Sequence, residues 1–259
     1  MPIVNRVSKL AIALFLVGCT FFVIHSSNRL GAPTTLIGTQ KSESVGTVHS
    51  FFLLDRTGSM SSLKSAVEDG YAKYVAQQQS HPGSMMMTVA QFDSVNPFEV
   101  LIEGQEIHSV ARRLEHYQPR GTTPLYDAIE RMIVHAEACG SDEVIIVIFT
   151  DGGENASLQA TRQGVFDKIE EKKKRGWSFV FLGANQDSFQ SGREINVARG
   201  STMNYAATHQ GVDYGWGTVS MAMARQRTIR ARSGFTKEDR LAQAANFFDT
   251  AGARSADTA

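Results

Sequence analysis

Short apolar runs alternate along this chain with longer segments in which apolar residues recur every three or four positions. The runs predict buried strands, and the recurring pattern predicts amphipathic helices. Strands are predicted over residues 48–54, 85–92, 98–102, 143–149 and 177–182, with a short edge strand over 203–205. Helices are predicted over residues 63–75, 124–136, 161–174 and 212–229.

The segment over residues 143–149 (EVIIVIF) indicates how the strands pair. It is almost wholly apolar, which is typical of a central parallel strand covered on both faces. The strands over 85–92 and 98–102 are joined by a short polar turn, which predicts a hairpin. Strands and helices otherwise alternate, so the predicted fold class is α/β, a doubly wound, mainly parallel sheet flanked by helices in three layers. Ligands bind such sheets at the carboxyl ends of the strands.

The N-terminus carries a different pattern. Arg6 and Lys9 precede an apolar run over residues 10–24, and fifteen helical residues cover about 22 Å of a hydrocarbon core of ~30 Å. Residues 16–19 (LVGC) resemble the lipobox of bacterial lipoproteins, in which Cys19 would be lipidated, although the apolar run continues beyond Cys19. An uncleaved anchor, a lipid anchor, complete cleavage and a wrongly assigned start codon all stay open.

These patterns divide the chain into four parts. We expect a signal or anchor segment over residues 1–27, a linker over 28–46, a folded domain over 47–230 and a polar, disordered tail over 231–259. The expected location is the membrane, on its exported face, and a cytoplasmic location stays open.

Composition removes several classes of function. The 259 residues include 26 basic and 26 acidic ones, so no electrostatic footprint for nucleic acid is present. Cysteine occurs only at Cys19 and Cys139, which leaves no disulfide framework inside the domain. Cys139 is expected to be a small, buried or half-buried residue. The seven histidines are scattered without ligand spacing.

Three polar segments, residues 55–59, 121–125 and 150–152, carry the candidate chemistry. They offer carboxylate and hydroxyl oxygens and no thiol or imidazole, which suits Mg²⁺, Mn²⁺ or Ca²⁺ better than zinc. Asp55, Thr57 and Ser59 alternate within one turn, so three oxygens can point the same way. Thr123 and Asp151 can join them only if the strands run side by side.

Together, Asp-x-Thr-x-Ser, the Gly-Thr loop and Thr-Asp-Gly resemble the von Willebrand factor type A domain and its metal-ion-dependent adhesion site, over about residues 48–230. The resemblance implies that Thr57 and Ser59 bind the metal through their hydroxyls. It implies that Asp55 and Asp151 hold the metal directly or through water, and that Thr123 approaches or withdraws with ligand state. The family usually has Ser where this chain has Thr57, and the hydroxyl is kept.

The choice of Thr123 rests on its place immediately before Pro124, as in many members of the family, and Thr122 stays open as the alternative. Segments 151–155 and 181–187 resemble a bacterial subgroup of these domains. Many members of that subgroup carry no anchor, so this resemblance conflicts with the predicted N-terminal anchor. Glu154 and Asn155 are predicted to cap the following helix.

Two further acidic residues, Asp93 and Asp127, are predicted to be structural. Asp93 follows a predicted strand, and Asp127 falls in the first turn of a predicted helix. Neither belongs to the three polar segments, so we do not expect either to hold the metal.

The residue types argue for binding. Two carboxylates neutralise a divalent cation and leave an electrophilic position for an Asp or Glu of a partner protein. The leading hypothesis is therefore a metal-dependent protein-binding module tethered to the membrane, with Mg²⁺ as the first candidate. A scaffold that keeps the loops without an ion stays open, as does an accessory subunit of an ATPase or a stress-resistance complex.

Catalysis is the weaker hypothesis. The chain has no nucleophile elbow, phosphate-binding loop or His-Glu-x-x-His zinc helix. A metal-dependent phosphoester hydrolase with Asp55 as nucleophile would need a second acid two residues later, where this chain has Thr57. We therefore expect no enzymatic activity.

Overall fold

The computed structural model describes residues 47–184, 187–229 and 234–241. Its strands are β1 (Val48–Asp55), β2 (Met85–Phe92), β3 (Glu99–Glu106), β4 (Glu143–Thr150), β5 (Ser178–Gly183) and β6 (Thr202–Asn204). Its α-helices are α1 (Lys64–Ser80), α2 (Leu125–Ala138), α3 (Arg162–Lys174), α4 (Ser188–Glu194) and α5 (His209–Ile229). Short 3-10 turns cover Gly58–Leu63, Ile107–Ser109 and Arg199–Ser201.

The strands form one sheet in the order β3-β2-β1-β4-β5-β6. All neighbouring pairs are parallel except β2 and β3, which are antiparallel. The predicted doubly wound α/β fold and the predicted hairpin are therefore confirmed. The chain winds from β1 to β2 in one direction and continues from β4 in the other, so the carboxyl ends of β1 and β4 flank the switch point where such sheets bind ligands.

Both faces of the sheet are covered, as the apolar central strands require. One face packs against α1 and α5, where Trp216 stacks 5.5 Å from both Phe52 and Phe149. A side chain at Gly70 of α1 would meet the Trp216 ring at 2.1 Å, so the two helices can approach this closely only because residue 70 is glycine. The other face packs against α2 and α3.

The C-terminal part differs from the sequence prediction. Residues 234–241 pack onto the domain instead of forming part of a disordered tail. Phe235 is buried in the core on the α5 side, and Asp239 pairs with Arg225 at 2.7 Å. Thr236 and Asp239 cap a helical start reciprocally, through bonds of 2.7 and 3.1 Å. A Thr followed three residues later by an acid was the signal for this turn.

The predicted signal or anchor over 1–27, the linker over 28–46 and the end of the tail lie outside the described residues. None of the helices within the described part is long and apolar enough to cross a membrane.

A buried histidine connects three elements at the amino end of β1. The Nδ1 atom of His49 lies 2.9 Å from the Ser141 hydroxyl, and Nε2 lies 2.9 Å from the Thr88 hydroxyl. The ring also stacks on Phe51 with centroids 4.0 Å apart. Burial, reinforced by the charge of His135, lowers the pKa of His49 from 6.5 to about 4. Between about pH 4 and pH 6.5, the His49 ring is therefore mostly neutral in the folded protein and mostly protonated in the unfolded chain.

We predict that His49 makes the domain sensitive to mild acid. The pKa of His49 is lower in the folded protein than in the unfolded chain. The contribution of neutral His49 to the free energy of unfolding is therefore complete above about pH 6.5 and is lost as the pH falls towards 4. Between about pH 7.5 and 5 this residue should account for roughly 2 kcal/mol of the free energy of unfolding. Urea titrations at both pH values should show that wild type loses more stability than His49→Gln. Equal losses in the two proteins would contradict the assignment.

Candidate metal centre

The end of β1 and the turn after it supply three of the predicted ligands. Asp55 is the last residue of β1, and its Oδ1 accepts the Thr57 N–H at 2.7 Å. The hydroxyls of Thr57 and Ser59 lie 3.2 Å apart. The turn therefore points the oxygens of alternate residues into one place, as predicted. Asp55 and Thr57 are buried and Ser59 is exposed, so the cluster has one open side.

The end of β4 brings the second carboxylate to the same place. Ser59 donates a hydrogen bond to Asp151 Oδ1 at 2.6 Å, across 92 positions of sequence. Thr150, directly before Asp151, donates from its hydroxyl to Asp55 Oδ2 at 2.5 Å. These contacts exist because β1 and β4 are neighbouring parallel strands. Thr150 belongs to the third polar segment, but the sequence prediction did not name it among the ligands or assign its hydroxyl a role.

The third loop supplies Thr123. A carbon added at Gly152 would lie 3.3 Å from the Thr123 hydroxyl oxygen and 4.0 Å from that of Ser59, so the two hydroxyls face the same glycine. Thr123 is buried, whereas Thr122 is exposed and its backbone pairs with Ser94. The geometry therefore favours Thr123 over Thr122, and all five predicted side chains come together at this edge of the sheet.

Two tyrosines that the sequence prediction missed hold the strand ends. Tyr117 donates to the Asp55 carbonyl at 2.5 Å, and Tyr205 donates to the Thr150 carbonyl at 2.9 Å. Both side chains are buried. The two tyrosine hydroxyls provide hydrogen bonds to carbonyls at the ends of β1 and β4, and so fix the backbone that carries Asp55 and Asp151.

Asp93 is structural, as predicted, and organises the neighbouring loop. Its carboxylate accepts from Arg56 at 2.6 Å and from Arg120 at 3.0 Å. It also accepts the backbone N–H groups of Val95 and Asn96. Burial acts to raise the pKa of Asp93, but these hydrogen bonds and the Arg56 charge together hold it below its ordinary value. The arginines and the backbone N–H groups therefore compensate the buried negative charge of Asp93.

Glu154 and Asn155 cap a helix, but it is α2 and not the following helix that was predicted. Glu154 accepts the N–H of Tyr126 in the first turn of α2 at 2.9 Å, and Asn155 Oδ1 accepts the Thr123 N–H at 2.8 Å. The following helix, α3, is capped by Thr161 instead. The loop after β4 folds back over α2, a tertiary arrangement that local spacing does not reveal.

The same loop is held from the helix side by Asp127. Its buried carboxylate accepts the three successive N–H groups of Leu158, Gln159 and Ala160 at 2.6 to 3.0 Å. Asp127 is therefore structural, as predicted.

Asp55 and Asp151 differ from Asp93 in their electrostatics. Both are buried, and within the described residues neither forms an ion pair with Lys, Arg or His. Burial raises the pKa of Asp55 to about 6; the hydrogen bonds from Thr150 and Thr57 oppose the shift, and the charge of Asp151 adds to it. Burial also raises the pKa of Asp151. Two close, buried carboxylates without a countercharge carry a desolvation cost that a cation would remove.

The residues fit a hard divalent cation. Two carboxylates and three hydroxyls converge, and no thiol or imidazole belongs to the cluster, which matches the oxygen preference of Mg²⁺, Mn²⁺ and Ca²⁺. Gly152 faces the cluster without adding a side chain that would fill it. Asp55, Thr57, Ser59, Thr123 and Asp151 are therefore the groups that could hold the ion.

No family model matches the sequence, and no curated protein matches it. Solved structures do match. The vWF domain of the type V pili tip protein Mfa5 from Porphyromonas gingivalis superposes with a TM-score of 0.54, over 74% of this chain and 98% of that one, at 8% identity. The chain has the von Willebrand factor type A fold.

Two other solved structures share the von Willebrand factor type A fold of this chain. The pilus adhesin SpaC from Lactobacillus rhamnosus GG matches with a TM-score of 0.57 at 12% identity, over 70% of this chain but only 31% of SpaC. The PilB minor pilin from Streptococcus sanguinis matches with a TM-score of 0.52 at 11% identity, over 72% of this chain and 63% of the pilin. At such low identity the superpositions show the fold alone, and the candidate metal centre rests on the residues of this chain.

We predict that removing Asp93 destabilises the domain strongly. Asp93→Ala would remove one of the two carboxylates that pair with the Arg56 guanidinium, whose side chain is 4% exposed, and would leave it only the half-exposed Glu99. Breaking a buried pair in this way should cost about 3 kcal/mol in the free energy of unfolding. The matched control is Arg120→Ala, whose side chain is 47% exposed and which should cost less than about 1 kcal/mol. Similar costs for the two variants in urea titrations would show that Asp93 is not the centre of the network.

Proposed function

We propose that this von Willebrand factor type A domain binds a partner protein through a divalent cation held by Asp55, Thr57, Ser59, Thr123 and Asp151. One observation carries the proposal. Two buried carboxylates meet at the switch point of the sheet and form no ion pair within the described residues, while the nearby Asp93 is paired with arginine. A bound cation supplies the missing positive charge.

Three hydroxyls and two carboxylates would form the protein part of the coordination shell. Since the carboxylates only balance a charge of two, the ion would keep electrophilic character towards an oxygen from outside. Ser59 is exposed, so the cluster can be reached from solvent on this side. Mg²⁺ is the first candidate because all the ligands are hard oxygens, and Mn²⁺ and Ca²⁺ fit the same chemistry.

The outside ligand that suits this site is a carboxylate of a partner protein. An Asp or Glu side chain would complete the shell and compensate the remaining charge. The similar structures, named as a pilus adhesin, a minor pilin and a pili tip protein, support an adhesive or scaffolding role. Thr57 occupies the position where phosphoester hydrolysis with Asp55 as nucleophile would require a second acid, which favours binding over catalysis.

We further propose that the domain is held at the membrane, on its exported face. The support is the apolar run over residues 10–24, with Cys19 as the candidate lipidation site. Fractionation of cells that express wild type and Cys19→Ser separates a lipid anchor, which the variant loses, from a transmembrane anchor, which it keeps.

We predict that Mg²⁺ or Mn²⁺ stabilises the full-length protein through Asp55. At an ion concentration about 100 times the Kd, binding adds about 2.7 kcal/mol to the free energy of unfolding, which corresponds to a rise of roughly 5–10 °C in Tm. Asp55→Ala should fold, as judged by circular dichroism, and should show no metal-induced rise.

Thr122→Ala is the matched control for this experiment, because Thr122 is adjacent to Thr123 but exposed. It should respond to the ion as wild type does, whereas Thr123→Ala should respond less. A rise in Tm of Asp55→Ala equal to that of wild type would refute the metal site.

We also predict that partner binding requires the ion and a carboxylate. Immobilised full-length protein should retain its partner in Mg²⁺, and release it on addition of EDTA or of excess free acetate. Ser59→Ala should fail to retain the partner, whereas Thr122→Ala should retain it. A protein that is retained as well by wild type in EDTA, and by Ser59→Ala in Mg²⁺, as by wild type in Mg²⁺ does not bind through this site.

A further inference from the structure

A second cluster of metal-binding side chains lies between the edge strand β3 and the last turn of α2. His135 Nε2 lies 3.1 Å from Glu103 Oε1, and Cys139 Sγ lies 3.9 Å from the same oxygen. One ligand atom from each of the three residues lies within 4.8 Å of the other two. The cluster shares no residue with the oxygen-rich centre described above.

The local structure explains why these side chains meet. His135 and Cys139 are four residues apart at the end of α2, so they lie on the same side of the helix. Glu103 extends from β3 towards them, and the His135 ring packs against Phe98 with centroids 5.6 Å apart. Cys139 is not buried, which corrects one of the two states expected for it.

The ligand types match those of a zinc site, and so do the two separations that involve the Glu103 oxygen. In a tetrahedral site with ordinary Zn–N, Zn–O and Zn–S distances, the nitrogen and oxygen would be roughly 3.3 Å apart and the sulfur and oxygen roughly 3.5 Å apart. The observed separations of 3.1 and 3.9 Å require adjustments of only a few tenths of an ångström. One thiolate, one imidazole and one carboxylate form a softer set than the first centre, and they select zinc over Mg²⁺ or Ca²⁺.

We propose that Glu103, His135 and Cys139 bind one Zn²⁺, with a water molecule in the fourth position. The ion would join the outermost strand to the end of α2. β3 is half-exposed and, among the described residues, pairs only with β2, so a metal cross-link there would hold the hairpin against the helix. The site lies at the opposite end of α2 from Thr123, about 20 Å away along the helix axis.

The chain provides a matched pair of variants, because its two cysteines are Cys19 and Cys139. Full-length, tag-free protein is titrated with Co²⁺ under a phosphine reductant, followed by Zn²⁺. Wild type and Cys19→Ser should show a thiolate-to-cobalt charge-transfer band and tetrahedral ligand-field bands, which Zn²⁺ removes at one ion per chain. Cys139→Ser should lack the charge-transfer band.

The affinity for zinc gives a second readout. Loss of an outer-shell partner alone weakens metal sites about 10- to 100-fold, so loss of a direct ligand should weaken zinc binding by at least about 100-fold. Competition with a chromophoric chelator should show this loss in Cys139→Ser and His135→Gln. Glu103→Gln should weaken zinc binding in the same assay. In the cobalt titration it should keep the thiolate-to-cobalt charge-transfer band.

Two outcomes would overturn the zinc site. One is that wild type shows no thiolate-to-cobalt charge-transfer band, and the other is that Cys139→Ser shows this band as strongly as wild type. Asp55→Ala should bind zinc here as wild type does, because the two centres share no ligand. The zinc proposal and the proposed protein-binding function can therefore fail separately.

Discussion

The burial of Asp55 and Asp151, two carboxylates that form no ion pair within the described part of the chain, is the constraint on which the rest of this structure depends. Asp55 ends β1 and Asp151 directly follows β4, at the edge of a sheet that is covered on both faces, so solvent cannot stabilise their charges fully. The free energy gained by burying the apolar core must therefore offset this unfavourable pair. The same burial would favour the proposed function, because an ion in a poorly solvated place attracts an external carboxylate more strongly than an ion in water.

The surrounding acids show that the fold can neutralise a buried carboxylate when it needs to. Asp93 has two arginines and two backbone N–H groups, and Asp127 accepts three successive backbone N–H groups. Those two acids fix loops. Asp55 and Asp151 receive mainly hydroxyl and backbone donors, which orient the oxygens but add no full charge. The difference between the two groups of acids separates structural residues from candidate ligands.

The sequence alone predicted the parts of the fold that depend on local pattern. The apolar run of β4, followed by Asp151, identified the central strand and the edge to which its acid belongs. The contacts of Tyr117 and Glu154 could not be predicted, because each joins elements whose relative placement only the folded sheet determines. The zinc-type cluster was missed for a more specific reason. The sequence prediction ended β3 at residue 102, one residue before Glu103, and it compared the histidines with one another instead of with Cys139.

The helix α2 links the two centres and limits how the first can change. Its amino end is held by Glu154, and its carboxyl end lies at the proposed zinc ligands. With zinc bound as proposed, the helix would be fixed at both ends and would move little as a rigid body, so movement of Thr123 relative to an ion would have to occur in the loop before the helix. In that loop Gly121 has a φ of +67°, and its carbonyl accepts the N–H of Gly58 at 3.0 Å, which ties the loop to the turn after β1. On this argument, ligand-dependent change would stay local to the loop unless zinc were removed from the far end of the helix.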